Sequence, residues 1–124
     1  MRLLLDTHVL IWWLGREWLS ERATSAIADE ANQVLVSAAS VWEAELKAAR
    51  GNLDLRVDLA AEAADNGFTQ IAITSEHAIA AARLPLHHGD PFDRMLVAQA
   101  RLERLTLVSR DAAFAAYDVD LLAA

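Results

Sequence analysis

Five acidic side chains lie next to the short apolar runs of this sequence, where strands are predicted. Asp6 directly follows the first run, Glu43 lies in the first predicted turn of the helix after the second, and Asp111 lies two residues past the fourth. Asp90 and Asp93 bracket the first turn of a long helix that leads into the fourth run. In an open parallel sheet, ligands bind outside the carboxyl ends of the strands, so the spacing predicts that these carboxylates gather at one edge.

A cluster of carboxylates repels itself unless a cation lies among its members. Mg²⁺ and Mn²⁺ prefer oxygen ligands and retain several water molecules, so a rim of aspartate and glutamate side chains suits them. An ion held in this way can polarise a phosphodiester and activate a water molecule for in-line attack. This arrangement therefore predicts metal-dependent phosphodiester hydrolysis.

Helix capping explains the same acids without any metal. Ser40 and Glu43 have the spacing of a capping box, in which the glutamate reaches back to the backbone N–H of the cap residue. Asp90 followed by Pro91 is typical of an N-cap with proline at the first helical position. The acids at the strand ends could equally cap the helices that follow them. Capping does not explain why four separate segments place acids at one edge, so both interpretations stay open at this point.

Other polar side chains near these acids also have two interpretations. Arg94 and Arg110 each adjoin a candidate ligand, so they could bind phosphate or pair with the acids. His87 and His88 could bind a metal, but adjacent side chains diverge in direction. A solvated polar loop is therefore the expectation for this histidine pair.

Strand and helix signals alternate along the chain. Apolar or alternating runs predict strands at residues 3–5, 34–36, 69–73 and 106–109, with a last short strand at 119–122. Helical spacing predicts helices at residues 9–14, 20–32, 40–50, 57–66, 75–84 and 90–105, with a short helix at 111–116. This alternation predicts an α/β fold with a parallel central sheet of four to five strands and helices on both faces.

The composition narrows the classes of protein to which the chain can belong. Its 124 residues, 55% of them hydrophobic, predict one domain over residues 1–124. The lack of cysteine excludes disulfides, thiolate metal sites and a cysteine nucleophile. The net charge of −7 argues against nucleic-acid binding by phosphate neutralisation alone. The longest apolar stretch, residues 3–14, contains Asp6 and is too short to span a membrane, so a cytoplasmic protein is expected.

Four sequence motifs together identify a family. They are L-L-L-D-T-H at residues 3–8, S-A-A-S-V-W-E at 37–43, H-H-G-D-P-F-D-R-M-L-V-A-Q-A at 87–100 and L-V-S-R-D at 107–111. This set resembles PIN-domain proteins, and among them the VapC-type toxins of bacterial toxin–antitoxin pairs. The motifs stand in the family's order and spacing and span essentially the whole chain, so the set is specific although each motif alone is weak.

The resemblance implies a PIN-like three-layer α/β/α sandwich and an endoribonuclease that depends on Mg²⁺ or Mn²⁺. Such a protein hydrolyses RNA phosphodiester bonds with a metal-activated water, is usually a homodimer, and is silenced by a cognate antitoxin. The family's catalytic and metal-binding acids fall on four positions of this sequence: Asp6, Glu43, Asp93 and Asp111. Asp90 is then a neighbouring acid, and Ser109 occupies a position where the family often has a small hydroxyl residue.

Two alternatives remain beside the ribonuclease. In a non-catalytic regulatory binding module the acids would only cap helices, and tryptophans would dock a partner. Trp12 and Trp13 are adjacent, so they cannot both enter one core, and one of them could lie on a partner-binding patch. A PIN-like nuclease acting on DNA or flap structures would keep the metal site, but the chain lacks the extra helices or arch that such nucleases generally carry.

Overall fold

The computed structural model describes residues 1–124, which form five strands, six α-helices and one short 3-10 helix. The strands are β1 (Arg2–Leu5), β2 (Gln33–Ser37), β3 (Thr69–Ile71), β4 (Thr106–Ser109) and β5 (Leu121–Ala123). The α-helices are α1 (Thr7–Leu14), α2 (Glu21–Ala28), α3 (Ala38–Ala49), α4 (Leu59–Asp65), α5 (Ser75–Ala82) and α6 (Pro91–Glu103), and the 3-10 helix is Ala112–Ala116. None of the helices has the length and hydrophobicity that a membrane crossing requires.

The strands form one parallel sheet in the order β3–β2–β1–β4–β5, with β1 at the centre. Leu4 of β1 lies in register with Leu35 of β2 on one side and with Leu107 of β4 on the other. The strands β1 and β4 therefore end side by side, although they come from opposite ends of the sequence. The prediction of a parallel sheet of four to five strands is confirmed, with five strands present.

The sheet lies between two helical layers because its side chains alternate between two faces. Leu3 and Leu5 are fully buried in a core that β1 forms with α1, α2 and α4. Leu4 is fully buried on the opposite face, against Leu96 and Val97 of α6. Because helices cover both faces, the central strand is apolar and buried over Leu3–Leu5, and the predicted α/β/α sandwich is confirmed.

Helix α3 begins earlier than the sequence predicts, and this changes the role of Glu43. The Ser37 hydroxyl oxygen accepts a hydrogen bond from the Ala39 backbone N–H (3.0 Å), so the helix begins directly at the end of β2. Ser40 therefore lies inside the helix, where its buried hydroxyl has no hydrogen-bond partner among the protein atoms. The predicted capping box of Ser40 and Glu43 is wrong, because Glu43 lies in the second turn, past the unpaired N–H groups of the helix start.

Helix α6 begins where the sequence predicts. Asp90 Oδ1 accepts hydrogen bonds from the backbone N–H groups of Phe92 (2.8 Å) and Asp93 (3.3 Å). Pro91 occupies the first helical position, where its missing N–H costs no helical hydrogen bond. Asp90 therefore caps the helix, and the Asp93 carboxylate is left for contacts outside it.

Candidate active site

Asp6 connects the ends of the two central strands. It directly follows β1, and its Oδ1 accepts a hydrogen bond from the Val9 backbone N–H (2.9 Å), which caps α1. Its Oδ2 accepts a hydrogen bond from the Ser109 hydroxyl (2.5 Å). Ser109 Oγ in turn accepts a hydrogen bond from the Asp111 backbone N–H (3.0 Å). The Ser109 hydroxyl therefore links Asp6 to the segment that carries Asp111.

Glu43 is buried and is held from two sides. Its Oε1 accepts a hydrogen bond from the Thr7 hydroxyl (2.6 Å), and Thr7 directly follows Asp6 in the sequence. Its Oε2 pairs with Lys47 Nζ at 2.7 Å, and this hydrogen bond raises the pKa of Lys47, which stays protonated. Sequence reasoning missed both partners. The four-residue spacing of Glu43 and Lys47 on one helix was an available signal, whereas the contact with Thr7 depends on the folded sheet.

His88 connects Asp93 to Asp111. Its Nε2 lies 2.9 Å from Asp93 Oδ2 and 3.7 Å from Asp111 Oδ2. One ligand atom from each of these three residues lies within 4.8 Å of the others, a spacing that could hold a metal ion. The expectation that His88 lies in a solvated loop is wrong, because only 20% of its side chain is exposed and its ring lies between two carboxylates.

Capping and metal binding do not exclude each other at this edge of the sheet. Asp6, Asp90 and Asp111 each cap a helix through Oδ1. Asp6 and Asp111 direct Oδ2 towards other side chains, and Glu43 and Asp93 use their carboxylates for side-chain contacts. All four acids of the predicted quartet thus take part in the same set of contacts, with Asp90 beside them.

The electrostatics of the site reflect crowded and partly buried negative charge. Burial raises the pKa of Asp93 to about 7, and the negative charge of Asp90 adds to this rise. His88 lowers that pKa, whereas the charges of Glu43 and Asp6 raise it further. Burial also raises the pKa of Asp6, against the lowering effect of the hydrogen bonds that it accepts. A divalent cation would relieve this repulsion, and the carboxylate oxygens present are the ligands that Mg²⁺ and Mn²⁺ prefer.

We expect the metal-free protein to lose stability as the pH rises. The pKa of Asp93 is about 7 in the folded protein and 3.8 for an unperturbed side chain, so the folded state binds more protons between these values. Its contribution to the free energy of unfolding is therefore fully present below about pH 4 and is lost as the pH rises through about 7. Thermal unfolding in EDTA between about pH 5 and 8 should show a falling Tm.

The variant Asp93→Asn tests the origin of this pH dependence. Its side chain cannot ionise, so we expect its Tm in EDTA to change much less over the same pH range. The variant Asp65→Asn, at an exposed position on α4, is the matched control and should follow the wild type. An equal fall of Tm in all three proteins would contradict the assignment to Asp93.

Arg94 does not take the role that the sequence predicts. Its guanidinium is buried and donates hydrogen bonds to the backbone carbonyl oxygens of Ala81 and Leu84 (both 2.9 Å) and of His88 (3.3 Å). Adjacent helical residues point about 100° apart, so Asp93 faces the acids while Arg94 faces the core. The prediction that Arg94 holds phosphate or pairs with an acid is wrong, and the side chain instead fixes the loop that carries His88.

Arg110 contacts tryptophans rather than acids. Its guanidinium carbon lies 4.2 Å from the centroid of the Trp12 ring, within the range of a cation–π interaction. Its Nη2 donates a hydrogen bond to the Trp18 carbonyl oxygen (2.9 Å). The expectation that Arg110 pairs with its neighbour Asp111 is therefore wrong, although the guanidinium remains exposed at the rim of the site.

The tryptophans divide between the core and the surface. Trp13 packs against Phe68 with ring centroids 6.4 Å apart, whereas the adjacent Trp12 lies under Arg110. Both side chains are nevertheless partly buried against the same core, so the expectation that only one of them can enter it is wrong. Trp18 and Trp42 are 78% and 60% exposed, so both present aromatic surface to the solvent.

The sequence matches the model of the PIN domain family over residues 3–120. It is also 30% identical over 112 residues to ribonuclease VapC22 of Mycobacterium tuberculosis, an alignment that covers 87% of this chain and 85% of that protein. The match to the family model includes every acid of the site described above.

Solved structures share the fold. VapBC2 from Rickettsia felis, bound to a promoter DNA fragment, superposes with a TM-score of 0.75 at 12% identity, covering 100% of this chain and 99% of that chain. A toxin–antitoxin complex from Klebsiella pneumoniae superposes with a TM-score of 0.67 at 21% identity, covering 96% of this chain and 94% of that chain. The family match, the curated relative and these folds agree, and the chain belongs to the PIN domain family as a member of the VapC type.

Proposed function

We propose that this protein is a Mg²⁺- or Mn²⁺-dependent endoribonuclease, the toxin of a toxin–antitoxin pair, acting in the cytoplasm as a single domain over residues 1–124. One observation carries the proposal: carboxylates from four separate chain segments lie at the carboxyl edge of the sheet, each in contact with another side chain there (Ser109 for Asp6, Thr7 for Glu43, and His88 for Asp93 and Asp111). Capping gives no reason for Glu43 and Asp93 to lie there, because neither caps a helix.

We assign metal binding mainly to Asp6 and Asp93, with Glu43 and Asp111 binding a second ion or orienting the attacking water. A bound ion would polarise a phosphoryl oxygen and lower the pKa of a water molecule. Ser109 orients the Asp6 carboxylate through its hydroxyl (2.5 Å). Because the carboxylates are already oriented by protein contacts, little reorganisation is needed when charge develops on the phosphoryl group.

We assign phosphate binding to Arg110 rather than to Arg94. Arg110 is exposed and directly precedes Asp111, and its guanidinium donates to the carbonyl oxygens of Trp18 and Ala124. Arg94 is instead buried, with its guanidinium surrounded by backbone carbonyl groups. Stacking on Trp12 holds the Arg110 side chain in place without neutralising its charge.

The relatives support the biological part of the proposal. The curated relative is named a ribonuclease, which favours RNA as the substrate. The structures of similar fold include a toxin–antitoxin complex, which favours a cognate antitoxin as partner of this chain. We include a homodimer in the proposal because it is usual among VapC-type toxins.

The proposal is tested by incubating the purified protein with a pool of structured RNAs in Mn²⁺, in Mg²⁺ and in EDTA. We expect cleavage with either ion and none in EDTA, because water activation needs the metal. The products should carry a 5′-phosphate and a 3′-hydroxyl. Cleavage that persists in EDTA and leaves a 2′,3′-cyclic phosphate would contradict the metal-activated mechanism.

A non-catalytic regulatory binding module is the second candidate, favoured by the three acids that do cap helices and by the exposed Trp18. The two candidates differ in their response to metal. A metal site raises the Tm on addition of Mn²⁺ by mass action, whereas caps do not respond. A Tm unchanged by millimolar Mn²⁺, together with no RNA cleavage, would favour the binding module.

A further inference from the structure

We propose that His88 is a positioning residue, which holds Asp93 beside Asp111 through its Nε2–H group rather than acting as a metal ligand. This inference rests on the proposed function, because it concerns how the acidic site is prepared for a metal. The bridge joins two carboxylates from different chain segments, the start of α6 and the end of β4.

The proton on the His88 ring is placed by a backbone contact. The Asp90 backbone N–H donates a hydrogen bond to His88 Nδ1 (3.1 Å), so Nδ1 carries no proton. In a neutral imidazole the proton then resides on Nε2. That N–H faces Asp93 Oδ2 at 2.9 Å and Asp111 Oδ2 at 3.7 Å. The ring thus lies within hydrogen-bond distance of Asp93 and keeps the Asp111 carboxylate close to the same nitrogen.

The position of His88 is set from several sides. Its backbone N–H donates to the Tyr117 hydroxyl (2.9 Å), and its carbonyl oxygen accepts a hydrogen bond from Arg94 (3.3 Å). Its ring lies tilted against Phe114, with ring centroids 6.2 Å apart. Arg94 and Phe114 are both buried, so contacts with the protein interior fix the position from which Nε2 reaches the acids.

The same geometry argues against a ligand role. An imidazole that binds a metal through Nε2 carries its proton on Nδ1. That proton would point at the Asp90 backbone N–H, whose nitrogen lies 3.1 Å from Nδ1, and two donors would then face each other. Without the Nε2–H bridge, the like charges of Asp93 and Asp111 would separate, and the site would have to be reassembled when a metal binds.

The experiment compares four variants with the wild type: His88→Ala, His88→Gln, His88→Asn and His87→Ala. The readouts are the Kd for Mn²⁺ from isothermal titration calorimetry and the kcat and KM for RNA cleavage. We expect His88→Ala to weaken Mn²⁺ binding about 10- to 100-fold, the usual loss when a partner of a metal ligand is removed. His87 lies on the same loop, exposed and edge-on to Tyr117, so His87→Ala should match the wild type.

The two amide variants test whether His88 positions the acids or whether any substitution of this residue disrupts the site. A glutamine side chain places its N–H₂ group near the position of Nε2, whereas an asparagine reaches only as far as Nδ1. We therefore expect His88→Gln to recover most of the affinity for Mn²⁺ and His88→Asn to behave like His88→Ala. The loss should appear in kcat more than in KM, because the bridge orders the metal site and does not contact the rest of the RNA.

Two results would overturn the proposal. One is Mn²⁺ affinity in His88→Ala equal to that of His87→Ala. The other is a selective loss of Zn²⁺ and Ni²⁺ affinity in both His88→Ala and His88→Gln with Mg²⁺ binding unchanged, since imidazole ligands favour those ions. A wild-type protein that binds Mn²⁺ but does not cut RNA would reject the proposed nuclease, and the metal affinities would still decide the role of His88.

Discussion

Replacing Asp93 by asparagine is expected to lower kcat/KM for RNA cleavage by about a thousand-fold or more, without unfolding the protein. The change removes a candidate ligand charge from the centre of the acidic site. It also removes the buried charge and its repulsion from Asp90, which together raise the pKa of Asp93, so the metal-free variant should be at least as stable as the wild type near neutral pH. The measurement is steady-state cleavage in Mn²⁺, with Tm and Mn²⁺ affinity determined on the same preparations.

Asp90→Asn is the matched comparison for this variant. Asparagine is as good an N-cap as aspartate, so the start of α6 should be kept. Because Asp90 Oδ1 already serves as the cap, we expect this variant to lose less than about tenfold in kcat/KM. If Asp93→Asn kept both cleavage and Mn²⁺ affinity in a folded protein, the assignment of the site would be wrong.

Replacing Arg94 by methionine is expected to lower the free energy of unfolding by about 3 kcal/mol or more. The guanidinium is buried and has no carboxylate partner, and its hydrogen bonds go to carbonyl groups at the end of α5 and in the loop after it. A cation at a helix C-terminus is favoured by the helix dipole. Methionine fills similar space but leaves buried carbonyl oxygens without a donor. Urea denaturation in EDTA measures the loss.

Arg101→Met is the control for this substitution, because Arg101 is an exposed arginine of the same helix. Its loss of stability should stay within about 0.5 kcal/mol. A different result would support the sequence-based prediction that Arg94 binds phosphate. If Arg94→Met kept its stability and instead raised KM for RNA, the residue would act on phosphate after all.

The fold and the gathering of the acids follow from the sequence because they rest on strong local signals. Short apolar runs separated by helices predict a parallel sheet, and residues just past such runs must lie at its carboxyl edge. Asp6 and Asp111 follow directly from this rule. Asp93 follows from its place in the first turn of a helix whose N-cap and proline are readable in the sequence.

The roles of individual side chains are harder to predict from the sequence, because they depend on where each side chain points in the folded protein, and residue spacing alone does not give that direction. Arg94 adjoins Asp93 in the sequence, yet one helical step turns it into the core. The capping box at Ser40 was a plausible pattern, but Ser37 offers an equivalent hydroxyl one turn earlier and begins the helix there. His88 gains its role only when β4 brings Asp111 beside the loop that carries it.

The central position of β1 has a consequence for a chain that is still being synthesised. Asp6 is made before Ser109 and Asp111, which complete its surroundings and lie more than 100 residues further along the chain. The strand β1 gains its second neighbour only after β4 has been made and can pair with it. A nascent chain therefore carries Asp6 and Glu43 long before β4 exists to complete the edge that assembles them. The acidic cluster is complete only once translation has passed Asp111.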